Sequence, residues 1–289
     1  MQGEARDRLT TRPSDETTDA PRKADPLVVH ADQPLERLRR DATWHALTQD
    51  DLALDGPVDA LTAEQAEVLQ RLRPPATLRR VDVTTARRPR FVNLAVATPF
   101  DAWNLVGVLN DSGQHRTLEL SLRSLGLPVD APAQWAVYDF WSERLLAVVR
   151  SQARVHLPAR SCRALAIRRV RAGQPTLIST SRHITQGLVD LHELSFDPGT
   201  LTMQGRSEVV AGDPYELRFL VPWDGPSFDV AEVRSDADAS YVRVAGPLLI
   251  VTLESDTTRE IPWQVRFVPA PRELGPVSYT HLRAHETKA

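Results

Sequence analysis

WNLVGVLNDSGQHRTLELSL (103–122) is the stretch whose reading decides the fold. In its second half Leu118, Leu120 and Leu122 alternate with Glu119 and Ser121. A period of two is the mark of a half-buried strand. The first half, WNLVGVLN, is a short apolar run of strand length. Between them stand Asn110, Asp111, Ser112 and Gly113. Their side chains bond local backbone or tolerate positive φ, which makes a turn. Two strands and a turn in so short a space indicate an all-β region.

Similar runs extend on both sides: FVNLAVAT (91–98), QWAVYDF (134–140), LLAVV (145–149), ARVHL (153–157) and SCRALAIR (161–168). A second set is expected at 188–196, 201–210, 215–222, 228–235, 240–244, 247–253 and 262–268. Asp197-Pro198-Gly199 is a tight turn between its first two members. Arg171-Ala172-Gly173-Gln174-Pro175 is polar and punctuated, as domain junctions are. The expected fold class is therefore mainly β: two consecutive antiparallel β-sandwiches, over 76–171 and 172–271.

The texture before residue 76 differs. Leu35, Leu38, Ala42 and Leu47 in PLERLRRDATWHAL (34–47) follow a loose helical spacing. A second helix starts at Thr62, where Thr62 and Gln65 form a capping box. Pro74-Pro75 ends it. Residues 1–33 are poor in apolar side chains and read as disordered.

Composition narrows the function. In 289 residues the net charge is −3, which is not the footprint of a nucleic-acid binder. No apolar run is long enough to span a bilayer, and no secretion signal opens the chain. With the lone Cys162, this gives a cytoplasmic expectation. Glycines number 13 and form neither phosphate-cradling motif, so no nucleotide cofactor is expected.

Few residues invite a chemical reading. Cys162, between Arg160 and Arg163, is either a reactive thiolate or a small core residue; its place in an alternating strand favours the core. Asp139 in VYDFW, an acid among aromatics, is the one candidate general acid. The bland alternative is a strand-end carboxylate. Trp103, Trp135 and Trp263 lie in strand patterns and read as core. Trp223, in the predicted loop PWDGP, is the candidate for stacking on a sugar. Arg182 and His183 in SRHITQG (181–187) either bind an anion or orient a carboxylate, or else satisfy backbone groups at the junction, and the last is favoured. Arg87-Arg88-Pro89-Arg90 reads as a solvated loop.

VSYTHLRAHET (277–287) resembles the in-frame translation of a sequencing-library adapter. Residues 272–289 are read as a tail, mostly artefact. His281 and His285 at i, i+4 are accordingly not taken as a metal site, and no metal is expected.

Several strings in order are similar to the carboxy-terminal part of α-galactosidase-like glycoside hydrolases of family 36, the melibiase and raffinose-synthase group. They are LQRLRPP (69–75), WNLVGVLND (103–111), WAVYDFW (135–141), LPARSCRALAIR (157–168), TSRHITQGLVDL (180–191) and GRSEVVAGDPYELRFLVP (205–222). The resemblance implies that residues 34–75 are the helical end of a (β/α)₈ barrel. It implies a family reaction, retaining hydrolysis of terminal α-galactosides by two aspartates. Those aspartates lie on barrel strands, one in a strand segment of the Lys-x-Asp type, and no such strand is read here. No catalytic residue is carried over, and Trp223 and Asp139 stay as the substrate-binding candidates. The implied partner is the barrel of the same protein, which would leave an apolar patch here. The competing reading is a stand-alone carbohydrate-binding or structural β-sandwich, which an exposed row of aromatics would favour.

Overall fold

The computed structural model describes residues 26–48, 54–56, 58–76, 79–84, 90–130, 132–222, 227–270 and 279–280. The chain is mainly β. It opens with β1 (Leu27–Val28), α1 (Leu35–Thr48), β2 (Leu54–Asp55) and α2 (Ala63–Gln70). β1 and β2 pair in parallel, Leu27 with Leu54 and Val28 with Asp55. Of the segment expected to be disordered, residues 26–33 are structured and contain β1; residues 1–25 lie outside the described residues.

The capping box read from the sequence is present. Thr62 Oγ1 accepts from the Gln65 amide at 3.2 Å, and Gln65 Oε1 accepts from the Thr62 amide at 2.9 Å. The same Gln65 donates from Nε2 to the Gln33 carbonyl at 2.7 Å and the Ala31 carbonyl at 3.3 Å. One side chain thus starts α2 and holds the β1–α1 loop. Gly56 closes the other side. Its φ is 130°, and a Cβ there would stand 2.1 Å from the Val29 carbonyl oxygen, so only glycine fits.

The first β unit comprises β3 (Arg79–Thr84), β4 (Arg90–Ala97), β5 (Ala102–Asn110), β6 (Arg116–Ser121), β7 (Trp135–Asp139), β8 (Arg144–Val149), β9 (Gln152–Leu157) and β10 (Ser161–Arg169). Six of these make an antiparallel sheet in the order β3-β4-β5-β10-β7-β8, while β6 and β9 pair as a separate ribbon. The turn at 110–115 therefore carries the chain from one layer to the other. Val106, Val108, Val137, Leu165 and Ile167 of the sheet pack on Leu120, Val155 and Leu157 of the ribbon. The opposite face buries Val92, Leu94, Trp103 and Leu105 against Leu47 of α1. Burial on both faces explains why WNLVGVLN shows no alternation while RTLELS does.

The second unit contains β11 (Thr176–Thr180), β12 (Leu191–Asp197), β13 (Thr202–Val209), β14 (Tyr215–Leu220), β15 (Ser227–Ser235), β16 (Ala239–Ala245), β17 (Leu248–Glu254), β18 (Arg259–Ala270) and β19 (Tyr279–Thr280). A five-stranded sheet, β11-β14-β17-β16-β19, faces a four-stranded one, β12-β13-β18-β15. Leu217, Phe219, Leu249 and Val251 meet Met203, Ile261, Trp263 and Phe267 between them. Trp263 crosses Gly205, where a Cβ would lie 2.5 Å from its ring. Ala136 and Tyr138 of β7 pack on Ile178, Leu220 and Ile250, joining the two units. The sequence reading placed nearly every strand here within a few residues. It missed β3, β11, the parallel pair β1–β2 and β19, whose two residues pair with β16 although they lie in the segment read as a mostly artefactual tail.

Candidate functional site

Asp139 ends β7 and is fully buried. Its Oδ2 accepts from Ser142 Oγ at 2.6 Å and its Oδ1 from the Ala164 amide at 3.2 Å. Arg163 Nη1 lies 3.4 Å from Oδ2. Burial raises the Asp139 pKa, while the Ser142 bond and Arg163 pull it down. A raised carboxyl suits a general acid, but the surroundings do not. Its donors belong to the turn after β7 and to β10. This is a carboxylate that fastens a turn to a strand.

The aromatics beside it have structural partners too. Trp141 Nε1 donates to Thr43 Oγ1 of α1 at 2.7 Å, and its ring meets Phe140 edge-on at 5.0 Å. Trp103, Trp135 and Trp263 are all buried. Inward tryptophans argue against a sugar platform on those strands. Trp223 lies outside the described residues. Cys162 is buried, its thiol pushed up to about 12 by burial, with Thr43 Oγ1 at 3.6 Å. A thiol held neutral is no nucleophile.

SRHITQG forms a clasp on the end of α2. The Ile184 amide donates to the Arg71 carbonyl at 2.9 Å. Arg182 Nη1 donates to the Arg73 carbonyl at 3.2 Å, and its Nη2 to Glu208 at 3.0 Å. These bonds satisfy carbonyls that a helix end leaves open. Arg71 reaches back to Asp213 with two bonds, at 2.5 and 3.0 Å. Between the helix end and the second sandwich lies a cleft of about 940 Å³, lined by Arg71, Arg73, Pro74, Pro75, Arg182 and Asp213. Arg71 and Arg182 are tied to acids, so the cleft is not a ready anion site.

Behind the clasp is a buried polar hub whose partners come from distant segments and share no local sequence pattern. Arg168 on β10 is 1% exposed. It donates to Asp101 Oδ2 at 2.6 Å and to the Gln186 carbonyl at 2.6 Å, and lies 3.6 Å over the Trp103 ring. Burial pushes its pKa down, against the pull of Asp101. Tyr215 donates to Asp190 Oδ2 at 2.9 Å. His183 Nδ1 accepts from the Thr185 amide at 3.2 Å, which leaves the ring proton of a neutral imidazole on Nε2. Arg168 stands beside Arg169 in ALAIRR, and nothing in one sequence pairs it with Asp101.

The hub makes stability pH-dependent. Burial pushes His183 down to about 4, although Asp190 and the Leu72 and Pro74 carbonyls favour the charged ring. In the unfolded chain it titrates near about 6.5. Between those values the unfolded chain binds a proton that the native state refuses. Stability is therefore lost as pH falls through this window, by about 3 kcal/mol in all, and is unaffected above about pH 7. Urea midpoints at neutral pH and near pH 4 should show His183→Gln losing less than the parent. Parallel losses would mean the ring is not held neutral. Asp139 acts in the opposite sense in both proteins and cancels in the difference.

Among the described residues no three His, Cys, Asp or Glu side chains are grouped as metal ligands, and no helix is long and apolar enough to cross a membrane. No family model and no curated protein matches the sequence. Solved structures give partial likenesses. α-Galactosidase I from Mortierella vinacea is 18% identical with a TM-score of 0.39, over 50% of this chain and 38% of that one. The α-galactosidase of Saccharomyces cerevisiae with raffinose is 11% identical with a TM-score of 0.39, over 50% and 46%. A family-27 β-L-arabinopyranosidase from Geobacillus stearothermophilus is 16% identical, TM-score 0.39, over 49% and 32%. This chain thus spans less than half the length of each. Scores this low do not define a shared fold, and activity does not follow from them.

Proposed function

We propose that the chain is the accessory β region of an α-galactosidase-like glycoside hydrolase, fixed to the end of a catalytic α/β barrel. The observation that supports this best is the order β1–α1–β2–α2, with β1 and β2 parallel. It is the one parallel pairing among the described residues. Parallel strands joined by a helix belong to sheets covered by helices, not to antiparallel sandwiches. Two residues of ladder are also far too few to stand alone. Both β units then grip this helical end. α1 lies on the six-stranded sheet, and the clasp with Arg71–Asp213 ties α2 to the second sandwich. Such a framework would hold the outer helices of a barrel.

The galactoside specificity rests on the sequence strings alone. On this reading the two catalytic carboxylates lie outside the chain, carbohydrate is bound by the barrel, and the location is cytoplasmic. The test is hydrolysis of an aryl α-galactoside by this chain and by the product of the intact gene. Activity is expected in the gene product and not in this chain. Turnover by this chain would overturn the proposal, as would an inactive gene product.

A further inference from the structure

The surface lacks the broad apolar patch expected beside a missing partner. Among the described residues the exposed large hydrophobics are Val28, Val58 and Tyr241, too few to make one. The unanswered chemistry lies inside. We infer that the polar hub behind the clasp is a binding site for one internal water molecule, held by Arg168, Thr180, His183 and Asp190. The inference is independent of the hydrolase reading.

The first ground is a set of open bonds. Arg168 Nε, Thr180 Oγ1, His183 Nε2 and Asp190 Oδ1 are buried and have no hydrogen-bond partner in the protein. None of the four residues is more than 2% exposed. An open polar atom in an interior is costly, and four in one hub call for an occupant.

The second ground is their placement. Tyr215 donates to Asp190 Oδ2, so the open Oδ1 is the other oxygen of a carboxylate already fixed. The Thr180 side chain stands beside the same phenol. Asp190 is the carboxylate that acts on His183, and after Asp101 it is the next to act on Arg168. The Leu72 and Pro74 carbonyls also face His183, yet neither closes a bond with Nε2. The four atoms come from β10, from the end of β11 and from the segment between β11 and β12. One occupant would therefore bond to both β units.

The third ground is chemical. Arg168 Nε can only donate. His183 Nδ1 already accepts the Thr185 amide, so its Nε2 donates too. Asp190 Oδ1 accepts, and a threonine hydroxyl can accept as well. Two donors and two acceptors match the two lone pairs and two protons of a water molecule. A metal cation would face two N–H groups, and an anion would face a carboxylate. With water accepting from Arg168 and His183 and donating to Asp190 and Thr180, the Thr180 proton is left to point at the Tyr215 oxygen. Internal waters typically make about three such bonds and are costly to remove.

A high-resolution crystal structure of this chain tests the site. A single oxygen is expected within about 2.7–3.2 Å of at least three of the four atoms. A direct bond between His183 Nε2 and Asp190 Oδ1, with no density among the four atoms, would overturn the inference. Density that strengthens with added sodium or chloride would mark an ion and overturn it too. Oxygen-17 relaxation dispersion counts long-lived waters in solution. Thr180→Leu pushes a longer apolar side chain into the site and should lower that count by about one water. Ser195→Ala, on the exposed face of β12, should leave it unchanged. An equal count in the parent and a folded Thr180→Leu would overturn the inference. If Thr180→Leu does not fold, the crystal structure of the parent decides alone.

Discussion

Replacing Arg168 with Met should cost about 3–5 kcal/mol, because it removes one partner of a buried ion pair and leaves the other. Arg168 satisfies Asp101 and the Gln186 carbonyl and lies against Trp103. Without it, Asp101 keeps only the longer bond to the exposed Arg171, at 3.3 Å. Methionine fills much of the volume but donates nothing. The double variant Arg168→Met/Asp101→Asn should recover most of the loss, since a whole buried pair is often replaceable where half of one is not. Chemical denaturation of the two singles and the double measures the coupling. If the double variant is as unstable as the sum of the singles, the pair is not the reason that Arg168 is buried.

Trp263→Ala should cost about as much, roughly 3–5 kcal/mol, for a different reason. The ring is 1% exposed at the centre of the second sandwich, edge-on to Phe219 at 6.3 Å. It lies over Gly205, where the facing strand offers no side chain to relax into the void. Its Nε1 also donates to Ser207 Oγ at 2.9 Å. Trp263→Phe separates the two contributions. It keeps much of the packing, removes the indole donor to Ser207 Oγ, and should cost about 1–3 kcal/mol. A thermal or urea midpoint unchanged by Trp263→Ala would show that this core does not hold the unit together.

The β architecture was legible because its signals are local. RTLELS alternates, Asn110-Asp111-Ser112-Gly113 turns, and Thr62 with Gln65 caps, each within a few residues. What escaped the sequence depends on distant partners. β1 and β2 are two residues long and recognisable only by their pairing. β11 is covered on both sides, so TLIST carries no alternation to read. The polar hub joins Arg168, Asp101, Asp190 and Tyr215 from four separate segments. For Asp139 both readings were open from its neighbours, and the donors around it in space are what distinguish them.

Gln65 has a consequence for motion. Its one acceptor fixes the first turn of α2, and its two donors fix the loop that follows β1. Neither segment can loosen without releasing the amide that serves the other. The start of α2 and residues 31–33 should therefore open together as a single cooperative step, with matched hydrogen-exchange rates, although more than twenty-five residues of chain separate them. A disturbance at one end of this strand–helix unit is in this way felt at the other before any part of the β framework has moved.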